Sequence, residues 1–215
     1  MKSNHMNEDH NIKIPHFSKE WLGVVGAVLL LAQLVLIILS WLLSATRLEG
    51  VRSLLSSEGI RWFVGDFSTI LASPLLAWLL LMLIALGALQ KSGVVSLFTT
   101  RYSLFTYRDK VALRVSIAFL IIYIIIIGLL TLLPHAILLS ATGSLFPSAF
   151  SRSLVPIIAF GLCLISITFG VVGGHLRSLS DIVSALSFGI VQGAPIIIIY
   201  LLAIQLYASL RFVFG

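Results

Sequence analysis

The sequence predicts an all-α integral membrane protein, a polytopic helical bundle of about five transmembrane helices plus a short amphipathic interfacial helix. Of its 215 residues, 59% are hydrophobic and only 10% are charged, and the mean hydropathy is +1.11. The apolar residues occur in blocks of about 20, the length that an α-helix needs to cross the hydrocarbon core of a bilayer. Continuous blocks exclude an outer-membrane barrel, whose strands alternate apolar and polar residues.

The chain begins with a polar tail, residues 1–20, and residues 21–215 are predicted to form a single transmembrane domain. The tail is of mixed charge and contains three histidines: His5, His10 and His16. Their spacings of five and six residues put no two on one helical face, so a mobile tail is favoured over a metal site. The first span, residues 22–44, has no charged residue and is too long for a signal peptide, so we expect it to be retained.

A short helix over residues 57–67 is predicted to lie in the membrane surface. Ile60, Phe63, Val64 and Phe67 recur at the spacing of one helical face. The helix is too polar to cross a bilayer, and a segment that can cross follows directly. On periodicity alone, an ordinary interfacial connector is the plainer interpretation.

The second span is predicted over residues 70–89, and a strongly basic loop follows it. Pro74 is tolerated because the first turn of a helix has no intrahelical donor to lose. The loop has five basic residues against Asp109 alone: Lys91, Arg101, Arg108, Lys110 and Arg114. Aromatic residues lie between them, so the pattern resembles that of an RNA-binding patch. Next to two membrane spans, contact with lipid headgroups explains the pattern better, and no nucleic-acid partner is predicted.

The third span is predicted over residues 115–133, and the polar segment after it supplies three candidate pathway residues. His135 follows Pro134 at the exit of the span, and Thr142 and Ser144 flank a glycine. A histidine in this position is more often an interfacial hydrogen-bonding group than a proton carrier. A plain external turn is the alternative to a broken, substrate-lining segment.

Glycine pairs mark the fourth span, residues 154–174, and the last segment. Gly170 and Gly174, and again Gly189 and Gly193, are four residues apart, a spacing that lets two helices approach closely. The last segment is too long for one straight span. Gly189, Gly193 and Pro195 predict an interruption, with a short helix capped by Ser180 and a crossing over residues 195–212.

The interruption adds Gly193 and Pro195 to the candidate substrate pathway, because secondary transporters use discontinuous helices to expose backbone groups. A kink in a purely structural helix would look the same in sequence. Whether residues 181–212 cross once or re-enter the membrane stays open.

The distribution of basic residues predicts a cytoplasmic N-terminus. With five spans, nine Lys and Arg residues fall in segments assigned to the cytoplasm and five in external segments. We therefore expect a multi-pass protein of the cell inner (plasma) membrane with an external C-terminus. A re-entrant last segment would return the C-terminus to the inside.

Two short motifs resemble the early part of the AbgT (aminobenzoyl-glutamate transporter) family. The first is Glu58-Gly59-Ile60-Arg61-Trp62 in the surface helix, and the second is Gln90-Lys91-Ser92-Gly93 after the second span. The resemblance covers about residues 22–96 and, more weakly, the chain from residue 180 onward. It implies an inner-membrane secondary transporter, often dimeric, that moves aminobenzoyl-glutamate or related anionic molecules. This chain would be a short, divergent or truncated member.

The chemistry that a coupled transporter or an enzyme needs is sparse in this sequence. All eight acidic residues lie outside the predicted spans, so coupling would depend on backbone and hydroxyl groups. The catalytic motifs sought (a nucleophile elbow, a zinc-binding HExxH and a Walker loop) do not occur. We predict no enzymatic activity, catalytic residue, cofactor or metal, and an intramembrane hydrolase using His135 and Ser140 is strongly disfavoured.

Two functional hypotheses follow. The first is a transporter protomer that completes its pathway in a homo-oligomer or with a larger membrane partner. The second is a non-transporting membrane subunit or scaffold that anchors or regulates a partner.

Overall fold

The computed structural model describes residues 16–46, 50–95, 106–132 and 149–215, with side chains from residue 20 onward except at 132 and 149–152. These residues form seven helices and no strand: α1 (His16–Ala45), α2 (Ser57–Gly65), α3 (Phe67–Leu71), α4 (Pro74–Lys91), α5 (Tyr107–Leu132), α6 (Ala149–Gly173) and α7 (Leu179–Phe214). Five of them, α1, α4, α5, α6 and α7, are long and apolar enough to cross a membrane. The predicted all-α polytopic class is therefore confirmed.

The helices belong to two compact units. The terminal unit contains residues 1–71 and 195–215, and the central unit contains residues 72–194. Helix α7 is continuous, and its residues up to Ala194 belong to the central unit while the rest belong to the terminal unit.

In the terminal unit, α1 packs against the C-terminal part of α7 and against the loop that precedes α2. Leu36, Leu54 and Val213 form the buried cluster, and Trp62 and Phe212 pack against it. Most other apolar side chains of α1 are exposed, as expected for a helix surrounded by lipid.

Helix α2 begins as the sequence predicts but ends earlier. Ser56 caps it by accepting a hydrogen bond from the backbone N–H of Gly59 (3.0 Å), while its own hydroxyl donates to the Ser53 carbonyl (2.7 Å). Asp66 ends the helix, and Phe67 starts α3. The single helix predicted over residues 57–67 is thus two short helices with a bend at Asp66.

The central unit is built around small residues. Its helices α4 and α5 both pack on α6. The buried positions include alanines and serines: Ala85, Ala88, Ser92, Ala112, Ser116, Ala159, Ser166 and Ala185. Lipid tails are as apolar as leucine, so membrane helices gain most from close backbone approach, which small residues permit.

The closest approach joins α4 to the first part of α7. A Cβ atom added at Gly87 would overlap the backbone of Gly189 and lie 2.9 Å from the Ala185 carbonyl oxygen. Gly193 faces the side chain of Leu83 on α4. Only glycine fits where two helix backbones touch.

The link between α6 and α7 consists of two capping motifs. Gly174 has φ +81° and ends α6, with the N–H of His175 donating to the Gly170 carbonyl (2.8 Å) in a Schellman arrangement. At the start of α7, the Ser178 hydroxyl accepts from the Asp181 N–H (3.1 Å), and the Asp181 carboxylate accepts from the Ser178 N–H (2.9 Å). This reciprocal pair is a capping box, so the predicted cap at Ser180 is wrong.

Other predicted boundaries also differ from the structure. The second span, predicted from residue 70, begins at Pro74. Helix α5 begins at Tyr107, so Arg108, Lys110 and Arg114 lie in its first turns and not in a loop. Pro156 lies inside α6 because that helix starts at Ala149. Pro195 lies inside α7, and the predicted break there is wrong. One proline removes a single hydrogen bond, whereas a broken helix in lipid would leave several backbone groups without partners.

Candidate functional site

The terminal unit contains a polar cluster at membrane-span positions, which we call the glutamine cluster: Gln33 on α1 and Gln205 and Ser209 on α7. The Gln33 amide nitrogen donates to the Ser209 hydroxyl at 3.0 Å. Ser209 is fully buried and Gln205 is 7% exposed. Uncharged polar side chains therefore lie between two helices whose outer surfaces are apolar.

Three of the five side-chain nitrogen and oxygen atoms of this cluster have no hydrogen-bond partner. The Gln33 carbonyl oxygen is buried and has no partner, and neither amide atom of Gln205 has one. A buried polar group without a partner costs about 1–3 kcal/mol, so native structures nearly always supply one, from protein, water or ligand. Gln205 can therefore both donate a hydrogen bond to, and accept one from, a polar group that reaches it.

The helical period of α7 explains why these side chains face the same way. Gln205 and Ser209 are one turn apart, about 5.4 Å along the axis, and their face is continued by Val213 in the buried cluster. Gln33 meets Ser209, and one turn further along both helices Leu36 meets Val213 in that cluster. Helix α1 and the second part of α7 therefore run parallel.

Hydrogen bonds at the ends of these two helices hold the same register. The Ser40 hydroxyl donates to the Ile37 carbonyl (2.8 Å) and accepts from the Leu54 N–H (3.1 Å). The Arg52 N–H donates to the Val213 carbonyl (3.0 Å). The loop after α1 is thereby tied to both helices, which places their C-terminal ends on one side.

The chemistry available at the glutamine cluster is recognition and not proton transfer. Its three side chains do not titrate, but they offer amide N–H donors, carbonyl acceptors and a hydroxyl. Within the described part of the chain, no group of three or more His, Cys, Asp or Glu side chains could hold a metal ion. Such a cluster suits a neutral polar group, a water molecule or the oxygen atoms of an anion.

Of the residues predicted for the substrate pathway, the two that the structure describes, Gly193 and Pro195, are not members of the glutamine cluster. His135, Thr142 and Ser144 lie outside the described residues. Gly193 faces Leu83 of α4 in the central unit, and Pro195 lies within α7, ten residues before Gln205. The pathway assignment of these five residues stays a prediction.

The four glycines predicted for helix packing occupy two different settings. Gly189 and Gly193 lie against α4, at Gly87 and Leu83. Gly170 and Gly174 lie at the C-terminal end of α6, where Gly174 takes a left-handed conformation and Gly170 is covered by Leu176. An equal spacing in sequence thus corresponds to a helix contact in one case and to a helix end in the other.

The sequence prediction missed Gln33, Gln205 and Ser209. The predicted pathway rests on hydroxyl groups, a histidine and helix breaks, whereas the signal for this cluster is an uncharged amide inside an apolar block. Gln33 is the one strongly polar residue of the first predicted span, and Gln205 is the one side-chain amide of the last. Polar residues in membrane helices are expensive, which makes each a candidate for function or for helix association.

The two resemblance motifs have local structural roles. Gly59 is buried beneath the loop, where an added Cβ would lie 2.6 Å from the Leu54 carbonyl oxygen. Trp62 stacks on Phe212 with ring centroids 4.4 Å apart. At the end of α4, Ser92 is the C-cap residue, and Gly93 follows with φ +82°.

Comparison with known protein families, curated proteins and solved structures finds no match to this chain.

Proposed function

We propose that this protein is the protomer of an AbgT-type secondary transporter in the cell inner membrane, with its N-terminus in the cytoplasm. In this proposal it moves aminobenzoyl-glutamate-like anionic molecules and acts as part of an oligomer. The observation that carries the proposal is Gln205, which is 7% exposed and has an unpartnered donor and an unpartnered acceptor within a membrane-spanning helix. Amide and carboxylate groups of such a substrate would supply the missing partners.

Transport into proteoliposomes tests the proposal. The full chain is reconstituted, and movement of aminobenzoyl-glutamate and of a sulfonamide is compared with empty vesicles. We expect movement with the wild-type chain and its loss in Gln205→Leu. Gln192→Leu is the matched control, because it changes the same residue type on the same helix outside the glutamine cluster, and it should retain movement. No movement by the wild type above empty vesicles would refute transport by this chain.

A non-transporting membrane subunit is the second candidate, and a different observation favours it. The acidic residues described within the five long helices, Glu20, Asp109 and Asp181, all lie in their first two turns, so no described carboxylate is near mid-span to couple an ion. In this alternative, the bond between Gln33 and Ser209 serves only to join helices. Pull-down after mild detergent extraction would recover a stoichiometric unrelated partner, whereas the transporter proposal expects copies of the same chain.

A further inference from the structure

We propose that the terminal unit binds the headgroup of an acidic phospholipid in a groove between α2, α3 and the C-terminal end of α7. The groove has a volume of about 370 Å³, within the range of small-molecule sites. It is lined by five residues of one α7 face and by one residue each of α2 and α3: Ile204, Tyr207, Ala208, Arg211, Phe212, Trp62 and Ile70. This inference is independent of transport.

The charge in the groove favours an anion. Arg211 is exposed and is its one charged lining residue. A second cation is close, since the guanidinium of Arg52 lies 5.9 Å from the ring centroid of Phe212, which also lines the groove. The carboxylates of α2 and the following bend, Glu58 and Asp66, are not among the lining residues. A guanidinium binds phosphate through two parallel hydrogen bonds, which suits a phospholipid headgroup.

The surroundings favour a lipid over a free anion. Tyr207 and Trp62 are the residue types that concentrate at the headgroup level of a membrane. Apolar side chains within three positions of lining residues along the chain are exposed, with Phe67 at 44%, Leu210 at 41% and Phe214 at 57%. An amphiphile can place its phosphate against Arg211 and its acyl chains along these side chains, whereas a soluble phosphate would leave them uncovered.

Quenching of Trp62 fluorescence tests the proposal. Trp21, Trp41 and Trp78 are replaced by phenylalanine so that Trp62 is the single tryptophan. The protein is reconstituted in phosphatidylcholine vesicles that contain equal fractions of brominated phosphatidylglycerol or brominated phosphatidylcholine. We expect stronger quenching by the phosphatidylglycerol, and a preference that weakens as salt is raised.

Arg211→Gln should reduce the preference at least about tenfold, because it removes the guanidinium that donates charge-assisted hydrogen bonds to the phosphate. Arg61→Gln is the matched control, because Arg61 is an exposed arginine on α2 that does not line the groove, and it should keep the preference. Near-ultraviolet circular dichroism checks that both variants keep the stacked Trp62 and Phe212 rings. Equal quenching by the two lipids, or an unchanged preference in folded Arg211→Gln, would overturn the proposal. So would displacement by soluble glycerol phosphate, which would indicate a site for free phosphate.

Discussion

At the scale of single residues, glycines, which lack a Cβ atom, allow the close helix packing of the central unit. Gly87 and Gly189 let the backbones of α4 and α7 touch, and a Cβ atom at Gly87 would overlap Gly189. By contrast, Gly128 on α5 has nothing within 4 Å of an added Cβ. Two glycines that both lie in apolar helical segments therefore have different surroundings: Gly87 is closely packed and Gly128 is open.

We predict opposite effects of alanine at these two glycines. Gly87→Ala should lower the free energy of unfolding by about 1–3 kcal/mol, because an extra methyl group forces the two helices apart. Gly128→Ala is the control and should raise it by about 0.5–1 kcal/mol, because alanine favours helix where space is free. Reversible unfolding in detergent measures both. Equal effects at both positions would contradict the described contact between α4 and α7.

A second residue-scale prediction concerns Tyr123. Its hydroxyl donates to the Ile157 carbonyl at 2.9 Å and joins α5 to α6. Tyr123→Phe removes this bond and should lower the free energy of unfolding by about 0.5–1.5 kcal/mol. Tyr107→Phe is the control, since Tyr107 is 79% exposed, and it should be neutral. The same detergent unfolding assay tests the pair, and a neutral Tyr123→Phe would show that this bond does not stabilise the unit.

At the scale of helices, the sequence predicted what length and hydropathy determine. The five spans and the start of the surface helix at residue 57 followed from apolar blocks and periodicity. The start of α5 at Tyr107 did not, because the charges of Arg108 and Lys110 predict a loop. The Thr106 N–H donates to the Asp109 carboxylate (3.3 Å), a local capping contact that starts the helix despite its charges.

The glutamine cluster could not be predicted, since its members come together only when α1 and α7 pack. Gln33 and Ser209 are 176 residues apart in sequence. Without related sequences to reveal paired changes, the register of two distant helices is not readable from one chain. The predicted break at Pro195 is wrong for a different reason, because proline breaks helices in water more readily than it does in lipid.

A prediction at this scale concerns the start of α7. Ser178→Ala removes the acceptor for the Asp181 N–H and should destabilise the first turn by about 0.5–2 kcal/mol. Hydrogen exchange at the Asp181 amide should accelerate accordingly. Ser180→Ala is the control and should leave exchange unchanged, because no capping bond involves its side chain among the described residues. Faster exchange in the Ser180→Ala variant alone would show that Ser180 caps the helix, as the sequence predicts.

At the scale of the molecule, the parallel register of α1 and α7 bears on topology. The Arg52 N–H donates to the Val213 carbonyl, so the end of α1 and the C-terminus of the chain lie on one side. An odd number of crossings gives this result, and a re-entrant last segment does not. The single crossing of the last helix is thereby favoured over re-entry.

Cysteine labelling tests this topology. In a Cys163→Ser background, single cysteines are placed at Leu55, Lys91 and Gly215, and intact cells are treated with a membrane-impermeant maleimide. We expect Leu55→Cys and Gly215→Cys to react from the external side, and Lys91→Cys to react only after the membrane is opened. A Gly215→Cys that reacts together with Lys91→Cys would contradict the parallel register.

The alanine, glycine and serine interior of the central unit also decides what its assembly costs. Burying leucine or methionine freezes rotatable bonds, whereas alanine and glycine have no rotamers to lose. Where α4 meets the first part of α7, the helices therefore come together with little entropic penalty, and what they gain is dispersion attraction between closely fitting surfaces. Such a unit should tolerate larger apolar side chains on its lipid-facing side, whereas a larger side chain on the inside should destabilise it.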